Sequence, residues 1–384
     1  MTSTEREFTS VEICAGAGGQ AYGLHEAKFR HLALIEIDKH ACETLKLNVE
    51  DNAEWEGCEV IEADLLQLDP HKFRLQLGLE QGDLDLLAGG VPCPPFSIAG
   101  KQLGEDDERD LFPTMLNMVE ELRPKAVMIE NVRGLLDQKF QDYREKILKS
   151  LESMGYAQCY WKVLEAKDYG VPQLRPRAIL VAMKKEYAQH FLWSEPEKRP
   201  LVTVGEALAP TMKERFDAIE DPRAEAAYGD WFESASKGVA PTLVGGSKKH
   251  GGADLGPTRA KKAWKELGVC GLGVANKPQE MVDSERDLFA AAGPKLTVQQ
   301  AAIIQGFPRD WKFPGRKTAS YRQVGNAFPP PVAKAVGEQI YTALKAEKSA
   351  STTKRDRLTS SLAPAAASAS AADRRSDLER AGVR

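Results

Sequence analysis

Short apolar runs that alternate with helical patterns constrain the fold of this chain more than any other feature. Each run has the length of a strand and is bounded by glycine, proline or charged residues, and the runs cover residues 10–14, 32–37, 58–61, 84–88, 126–129 and 178–183. Between them lie helical patterns, as in residues 111–123, where the apolar side chains share one face. Such alternation predicts an α/β fold with a parallel sheet, covered on both sides, whose ligands bind at the carboxyl ends of the strands.

The regular alternation stops near residue 190 and returns at LTVQQAAIIQGF, where Thr297 and Gln300 predict a helix that starts with a capping box. A further helical pattern, over residues 331–345, places Val332, Val336, Ile340 and Leu344 on one face. We therefore expect a large domain built from residues 1–190 and 294–347, and a smaller domain inserted at 191–293. Residues 348–384 are rich in Ala, Ser, Arg and Asp, which predicts a disordered tail.

Composition narrows the class of protein. The chain is 42% hydrophobic and 28% charged, with no apolar run of membrane-spanning length and a polar start that does not resemble a secretory signal. Six cysteines without a CxxC pair predict free thiols in a reducing compartment, the cytoplasm or bacterial nucleoid. The net charge of −4 means that a nucleic-acid binder of this composition must concentrate its basic residues locally.

The first chemical signal is a strand that runs into a glycine-rich turn and a helix, EICAGAGGQAYGL at residues 12–24. Gly16, Gly18 and Gly19 would let a ligand approach the backbone at the helix N-terminus, although such turns are often only tight connections. Glu36 and Asp64 follow the next two strands, where carboxylates commonly accept hydrogen bonds from a ribose or an adenine amino group. Since the spacing departs from GxGxxG, these residues predict an adenosine-containing ligand without a pyrophosphate.

The second signal is GGVPCPPFS, residues 89–97, directly after the strand at 84–88. Prolines on both sides of Cys93 restrict its backbone, and a stiff turn at the end of a strand is a good support for a nucleophilic thiol. The alternative is a buried, inert cysteine, which would not need a proline frame.

Three further motifs carry polar residues at the ends of apolar segments. Glu130 ends the strand in IENVRG, where a partly desolvated carboxyl has a raised pKa and can deliver a proton; the alternative is a structural ion pair with an arginine. Arg175 and Arg177 in PQLRPRAIL share a parity and are expected to face one site, unless they are surface charges that close a strand. Asn326 in RQVGNAFPPPVA either contacts a ligand or makes a turn.

Taken in order, these motifs resemble those of the DNA cytosine-5 methyltransferase family over residues 8–345. AGAGG is similar to the family's cofactor loop, and PC followed by FS is similar to its nucleophile motif. The remaining matches are ENV, QxRxR, LTxxxxxxxQGFP and QVGNAxPPxVA. The resemblance implies a Rossmann-like S-adenosylmethionine-dependent methyltransferase domain with an inserted target-recognition domain.

The resemblance also implies a role for individual residues. Cys93 would attack C6 of a flipped cytosine, Glu130 would protonate N3, and Arg177, with Arg175, would hold O2. S-adenosylmethionine would be bound without a metal by Ala15, Gly16, Ala17, Gly18, Gly19, Glu36, Ile37, Asp64 and Asn326. FSIAGKQLGEDDERD resembles the loop that closes over the flipped base. Cys14 stands where the family usually has Phe, Pro94 where it usually has Gln, and Pro294 where an Arg often precedes the LT motif.

A basic stretch at residues 242–268 lies in the inserted segment and suits contacts to DNA phosphates. Its expected DNA-binding residues are Lys248, Lys249, His250, Arg259, Lys261 and Lys262. The alternative for such a stretch is a solvated helix face.

The sequence thus predicts a monomeric, sequence-specific DNA cytosine-5 methyltransferase of the bacterial restriction–modification type, acting on double-stranded DNA. It leaves open whether a cognate restriction endonuclease exists. The alternatives are a tRNA cytosine-5 methyltransferase and a catalytically silent DNA-binding protein of the same fold. A dehydrogenase that uses NAD would not explain the framed cysteine.

Overall fold

The computed structural model describes residues 8–92, 110–196, 200–245 and 253–362, with side chains up to residue 353. A seven-stranded sheet with the order β3-β2-β1-β4-β5-β7-β6 forms its centre. The strands are β1 (Phe8–Ile13), β2 (Phe29–Glu36), β3 (Glu59–Glu62), β4 (Leu86–Gly89), β5 (Ala126–Val132), β6 (Tyr156–Glu165) and β7 (Pro176–Lys184).

Helices cover the sheet and build the inserted segment. They are α1 (Gly19–Glu26), α2 (Lys39–Val49), α3 (Pro70–Gln76), α4 (Phe112–Leu122), α5 (Gln141–Ser153), α6 (Lys185–Ala188), α7 (Val204–Asp217), α8 (Ala224–Ala235), α9 (Thr258–Glu266), α10 (Ser284–Asp287), α11 (Val298–Gln305), α12 (Lys317–Asn326) and α13 (Pro330–Leu362). Among the described residues, no helix is both long and apolar enough to span a membrane.

The predicted α/β fold is confirmed, but the sheet is mixed, whereas the sequence predicted a parallel one. Strands β1 to β5 pair in parallel, and β7 runs antiparallel to both β5 and β6. Consecutive residues of one strand, such as Leu86 and Leu87, are both buried but belong to different hydrophobic clusters. Because successive side chains of a strand point to opposite faces, this sheet is covered on both sides.

Strand β6 was not predicted from the sequence. Its buried residues Tyr156, Tyr160 and Leu164 are separated by partly exposed residues and by the exposed side chains of Gln158 and Lys162. It is an edge strand of the sheet, and because polar residues interrupt its buried positions, its sequence lacks a continuous apolar run.

The capping box at the start of α11 is confirmed, since Thr297 and Gln300 each accept a hydrogen bond from the other's backbone N–H. The predicted apolar face of α13 is also confirmed, because Val332, Val336, Ile340 and Leu344 are all buried.

The expected disordered tail is corrected in part. Helix α13 continues to Leu362, well past residue 348 where the tail was expected to begin. The stretch KAEKSASTTKRDRL contains many residues that favour helix without burial, a propensity that an argument from burial alone overlooks. Residues 363–384 lie outside the described residues.

The described part of the inserted segment shares its hydrophobic core with the large domain. Val204 of α7, Trp231 of α8 and Trp264 of α9 belong to one cluster with Ile304 of α11 and Val324 of α12. The boundaries at residues 191 and 293 therefore stay a prediction.

Candidate active site

A cleft of about 310 Å³ lies at the carboxyl ends of the central parallel strands. It is lined by the turn after β1, by the end of β2, by Gly90 and Pro92 after β4, by Glu130 of β5 and by the end of α12. The location is the usual one for ligands of parallel sheets, and the volume lies at the lower end of the range for small-molecule sites.

Most of the expected cofactor residues line this cleft. They are Ala15, Gly16, Ala17, Gly19, Glu36, Ile37 and Asn326. Gly18 lies behind the turn, where a Cβ atom would come within 2.8 Å of the Trp311 ring. Asp64 does not line the cleft; its Oδ1 accepts a hydrogen bond from the backbone N–H of Leu66 at 3.0 Å.

Glu36 organises the turn after β1. Its Oε2 accepts a hydrogen bond from the backbone N–H of Gly16 at 2.7 Å, and its Oε1 accepts from Ile37 and Asp38 at 2.9 and 2.8 Å. Gly16 itself has a φ of 55°, and no described atom lies within 4 Å of the position that its Cβ would occupy. The backbone of the turn is therefore open toward the cleft, as expected for a loop that a ligand approaches closely.

Asn326 is the last residue of α12, whereas the sequence suggested a Gly-Asn turn before a helix. Its side chain faces the inserted segment closely, since a Cβ atom on Gly245 would lie 2.2 Å from its Oδ1.

The sequence analysis missed Glu12 and Gln20 in the floor of the cleft. Glu12 is 1% exposed, and among the described residues its Oε2 and both amide atoms of Gln20 have no hydrogen-bond partner. Burial raises the pKa of Glu12, as does the Glu36 carboxylate, while a hydrogen bond from the backbone of Ala21 lowers it. A charged residue inside the apolar run SVEIC was the available signal.

Cys14 lines the same cleft and has a left-handed backbone with φ 51°. Burial, followed by the Glu36 and Glu12 carboxylates, raises the pKa of the Cys14 thiol to about 12. A thiol with this pKa is neutral near pH 7, so Cys14 is not a candidate nucleophile.

Glu130 and Arg177 form an ion pair at the edge of the cleft. The Nε of Arg177 lies 2.7 Å from Oε1 of Glu130, and the side chains are 13% and 14% exposed. Residue 177 of β7 pairs with Val132 of β5, so the two side chains are diagonal neighbours on one face of the sheet. Burial raises the pKa of Glu130, and Arg177 and then Arg175 counteract part of this increase.

Cys93 and the expected mobile loop lie outside the described residues, which stop at Pro92 and resume at Asp110. The chain on the N-terminal side of this gap lies close to Glu130. The side-chain amide of Asn131 donates a hydrogen bond to the carbonyl of Val91 at 2.9 Å, and a Cβ atom on Gly90 would lie 3.1 Å from Oε2 of Glu130. The chain that leads to Cys93 therefore starts beside the carboxyl group of Glu130.

Arg175 has surroundings unlike those of Arg177. Its guanidinium is 1% exposed and donates hydrogen bonds to the carbonyls of Leu243, Gly325 and Ala327 at 2.7, 2.9 and 2.9 Å. The two arginines share a parity in sequence, but only Arg177 is paired with Glu130.

Comparison with known proteins identifies the family. The model of the C-5 cytosine-specific DNA methylase family matches residues 8–342. The chain belongs to this family. The methylase is 49% identical over 338 residues to the Type II methyltransferase M.NaeI of Lentzea aerocolonigenes, covering 88% of this chain and 75% of that protein. It is also 49% identical over 346 residues to M.NgoMIV of Neisseria gonorrhoeae, covering 89% and 99%.

Solved structures share the fold of the methylase. A protein described as a DNA modification methyltransferase from an E. coli prophage superposes with a TM-score of 0.59 at 22% identity, over 88% of this chain and all of that one. The S. pombe Dnmt2 methyltransferase gives a TM-score of 0.54 at 18% identity, over 88% and 99%.

The basic residues of the methylase's inserted segment are described only in part. Arg259 and Lys262 are exposed on α9, whereas Trp264 on the same helix is buried. The Nζ of Lys261 lies 2.7 Å from Oδ2 of Asp254. Lys248, Lys249 and His250 lie outside the described residues.

Proposed function

We propose that this methylase transfers a methyl group to C5 of cytosine in double-stranded DNA at a specific recognition sequence, as a Type II modification enzyme. The observation that carries the proposal is the Glu130–Arg177 pair at the edge of the cleft, next to the chain that leads to Cys93. The relatives named Type II methyltransferases, at 49% identity, support the same class of activity.

The proposed mechanism uses three side chains on the cytosine ring. The thiolate of Cys93 adds to C6, and the carboxyl group of Glu130 donates its proton to N3 as aromaticity is lost. Arg177 holds O2 and offsets the negative charge that develops there. C5 thereby becomes a carbon nucleophile that takes the methyl group. The Glu130 carboxylate then takes its proton back from N3, water removes the C5 proton, and expulsion of the Cys93 sulfur as thiolate restores the aromatic ring.

The cleft fits S-adenosylmethionine. When bound, this cofactor supplies an electrophilic methyl group. Glu12, buried and with an unpaired oxygen among the described residues, suits the positive charge of such a ligand. We expect the open backbone at Gly16 and the carboxylate of Glu36 to hold it as well.

DNA is expected to bind through the inserted segment, residues 191–293, as a target-recognition domain. The exposed basic face of α9, with Arg259 and Lys262, is available for phosphate contacts. Because C6 is inaccessible in a stacked duplex, the cytosine must be flipped out at a cost of a few kcal/mol. We expect the protein to work as a monomer in the bacterial nucleoid, and a partner endonuclease remains a prediction.

The experiment that tests this function is bisulfite sequencing of DNA from a methylation-free host that expresses the chain. Conversion-resistant cytosines within one sequence context, absent with Cys93→Ala, are expected. Uniform conversion by the intact chain would contradict the proposal. Parallel methyl-transfer assays on duplex DNA and on tRNA distinguish the proposed function from the tRNA alternative. Methyl incorporation into tRNA alone would show that tRNA, and not DNA, is the substrate.

A further inference from the structure

Arg175 belongs to a buried polar cluster that we call the joint, formed by the side chains of Gln173, Arg175 and Gln305. All three are at most 1% exposed. The guanidinium of Arg175 connects the inserted segment, through Leu243 O, to the end of α12, through Gly325 O and Ala327 O.

Gln173 holds the same part of the inserted segment from a second direction. Its Oε1 accepts a hydrogen bond from the backbone N–H of Leu243 at 2.8 Å, while its Nε2 donates to Oε1 of Gln305 at 2.8 Å. Gln305 in turn donates to the carbonyl of Ala327. Both main-chain polar groups of Leu243 are thus bonded to the joint.

The segment at residues 240–245 is attached along its length. Ala240 exchanges two backbone hydrogen bonds of 2.8 Å with Pro172 and Leu174. At the other end, Gly245 packs so closely on α12 that a Cβ atom on Gly325 would lie 2.5 Å from the Gly245 nitrogen. The first residues of the basic stretch 242–268 are therefore held by hydrogen bonds and close packing next to the cofactor cleft.

The chemistry of the joint requires an arginine. Burial lowers the pKa of Arg175, as does the neighbouring Arg177, and Glu130 counteracts this. A buried cation is tolerated where acceptors replace its hydration, and here three carbonyls accept from the two terminal nitrogens, while Nε has no partner among the described residues. A planar guanidinium donates in several fixed directions, whereas the ammonium of a lysine is a compact point charge.

From this arrangement we propose that Arg175 is a positioning residue, which with Gln173 fixes segment 240–245 and so sets the affinity for DNA separately from the chemistry at Glu130. The inference rests on the proposed function, and it assigns Arg175 a role other than contact with the cytosine. Arg177 keeps the role of base contact.

The test compares Gln173→Met and Arg175→Lys with Arg177→Lys in the full chain. The measurements are hydrogen exchange of the peptide that contains Leu243, Kd for duplex DNA from a methylation-free host, kcat, and Tm. Both joint variants should speed exchange at Leu243 and raise the Kd for DNA by about tenfold, because each loses a buried hydrogen bond. Arg177→Lys should lower kcat and leave that exchange unchanged, because Arg177 does not bond Leu243.

Loss of kcat in Arg175→Lys with an unchanged Kd for DNA and unchanged exchange at Leu243 would overturn the inference. If Arg175→Lys does not fold, Gln173→Met decides alone: an unchanged Kd for DNA contradicts the proposal. Failure of the proposed function is distinguishable, because the intact chain would then transfer no methyl group to DNA while the exchange experiment still reports on the joint.

Discussion

The Nε of Arg177 lies 2.7 Å from Oε1 of Glu130, and the antiparallel pairing of β5 with β7 places both at the edge of the cleft. Burial raises the pKa of this carboxyl, and the arginine prevents the increase from becoming larger. A raised pKa favours the protonated form of the carboxyl group, which is the form that can donate a proton.

Removal of this proton donor should abolish most of the activity. Glu130→Gln keeps the size and one hydrogen-bond donor but cannot transfer a proton, so kcat should fall by about 10²- to 10⁴-fold. Binding of S-adenosylmethionine, followed by calorimetry, should be preserved. Glu120→Gln, at an exposed position of α4, is the control and should leave kcat unchanged. A kcat for Glu130→Gln close to that of the intact protein would contradict the assigned role.

The pH dependence of kcat should report on the same pair. Glu130 must be protonated to act as an acid, so kcat should decrease as pH rises through its pKa. Because Arg177 lowers the pKa of Glu130, Arg177→Gln should raise it further and move the descending limb of the profile to higher pH, at a lower overall rate. A limb that moves to lower pH, or stays in place, would show that another group controls it.

The buried carboxylate of Glu12 should lower the free energy of unfolding of the protein when no ligand is bound. Its folded-state pKa is raised, so the cost is absent below the unfolded-state value of 4.5 and grows as pH rises above it. Glu12→Gln should therefore increase the free energy of unfolding at pH 7 by roughly 1–3 kcal/mol, and not at pH 4. It should also weaken cofactor binding. Denaturant titrations of the intact protein and of Glu12→Gln at both pH values test the stability prediction. An equal change in the free energy of unfolding at pH 7 and pH 4 would argue against a buried ionisable group.

Two glycines of the turn after β1 should respond differently to alanine. Gly16 has φ 55° and open space around it, so Gly16→Ala should cost about 1–2 kcal/mol of stability and mainly raise the Kd for S-adenosylmethionine. In Gly19→Ala the new Cβ would lie 2.2 Å from the carbonyl oxygen of Phe328, and the stability loss should be larger. Thermal unfolding with and without cofactor separates the two effects, and the reverse order of stability would contradict this packing.

Patterns within single segments predicted most of the fold. Central strands such as β4 and β5 are buried on both faces, so their sequences are largely continuous apolar runs. The Thr297–Gln300 capping box is local in sequence and could be predicted for the same reason. Edge strand β6 was not predicted because polar residues such as Gln158 and Lys162 interrupt its buried positions. The end of α13 was misplaced because helix propensity without burial was not considered.

The site was predicted less completely, because long-range contacts decide it. Arg175 bonds Leu243, Gly325 and Ala327, which are far away in sequence, and it precedes the first residue of β7, so strand parity does not govern its side chain. Glu12 and Gln20 were missed because only the folded structure shows that their polar atoms lie in the cleft without partners among the described residues.

The central claim is that the sulfur of Cys93 adds to the cytosine ring during methyl transfer. The most direct measurement is intact-protein mass spectrometry after incubation with S-adenosylmethionine and mixed-sequence duplex DNA in which 5-fluorocytosine replaces cytosine. Fluorine cannot leave C5 as a proton does, so a stable covalent adduct on Cys93 is predicted for the intact chain and none for Cys93→Ala. Methyl transfer to ordinary DNA without any adduct, or an adduct that persists in Cys93→Ala, would contradict the account.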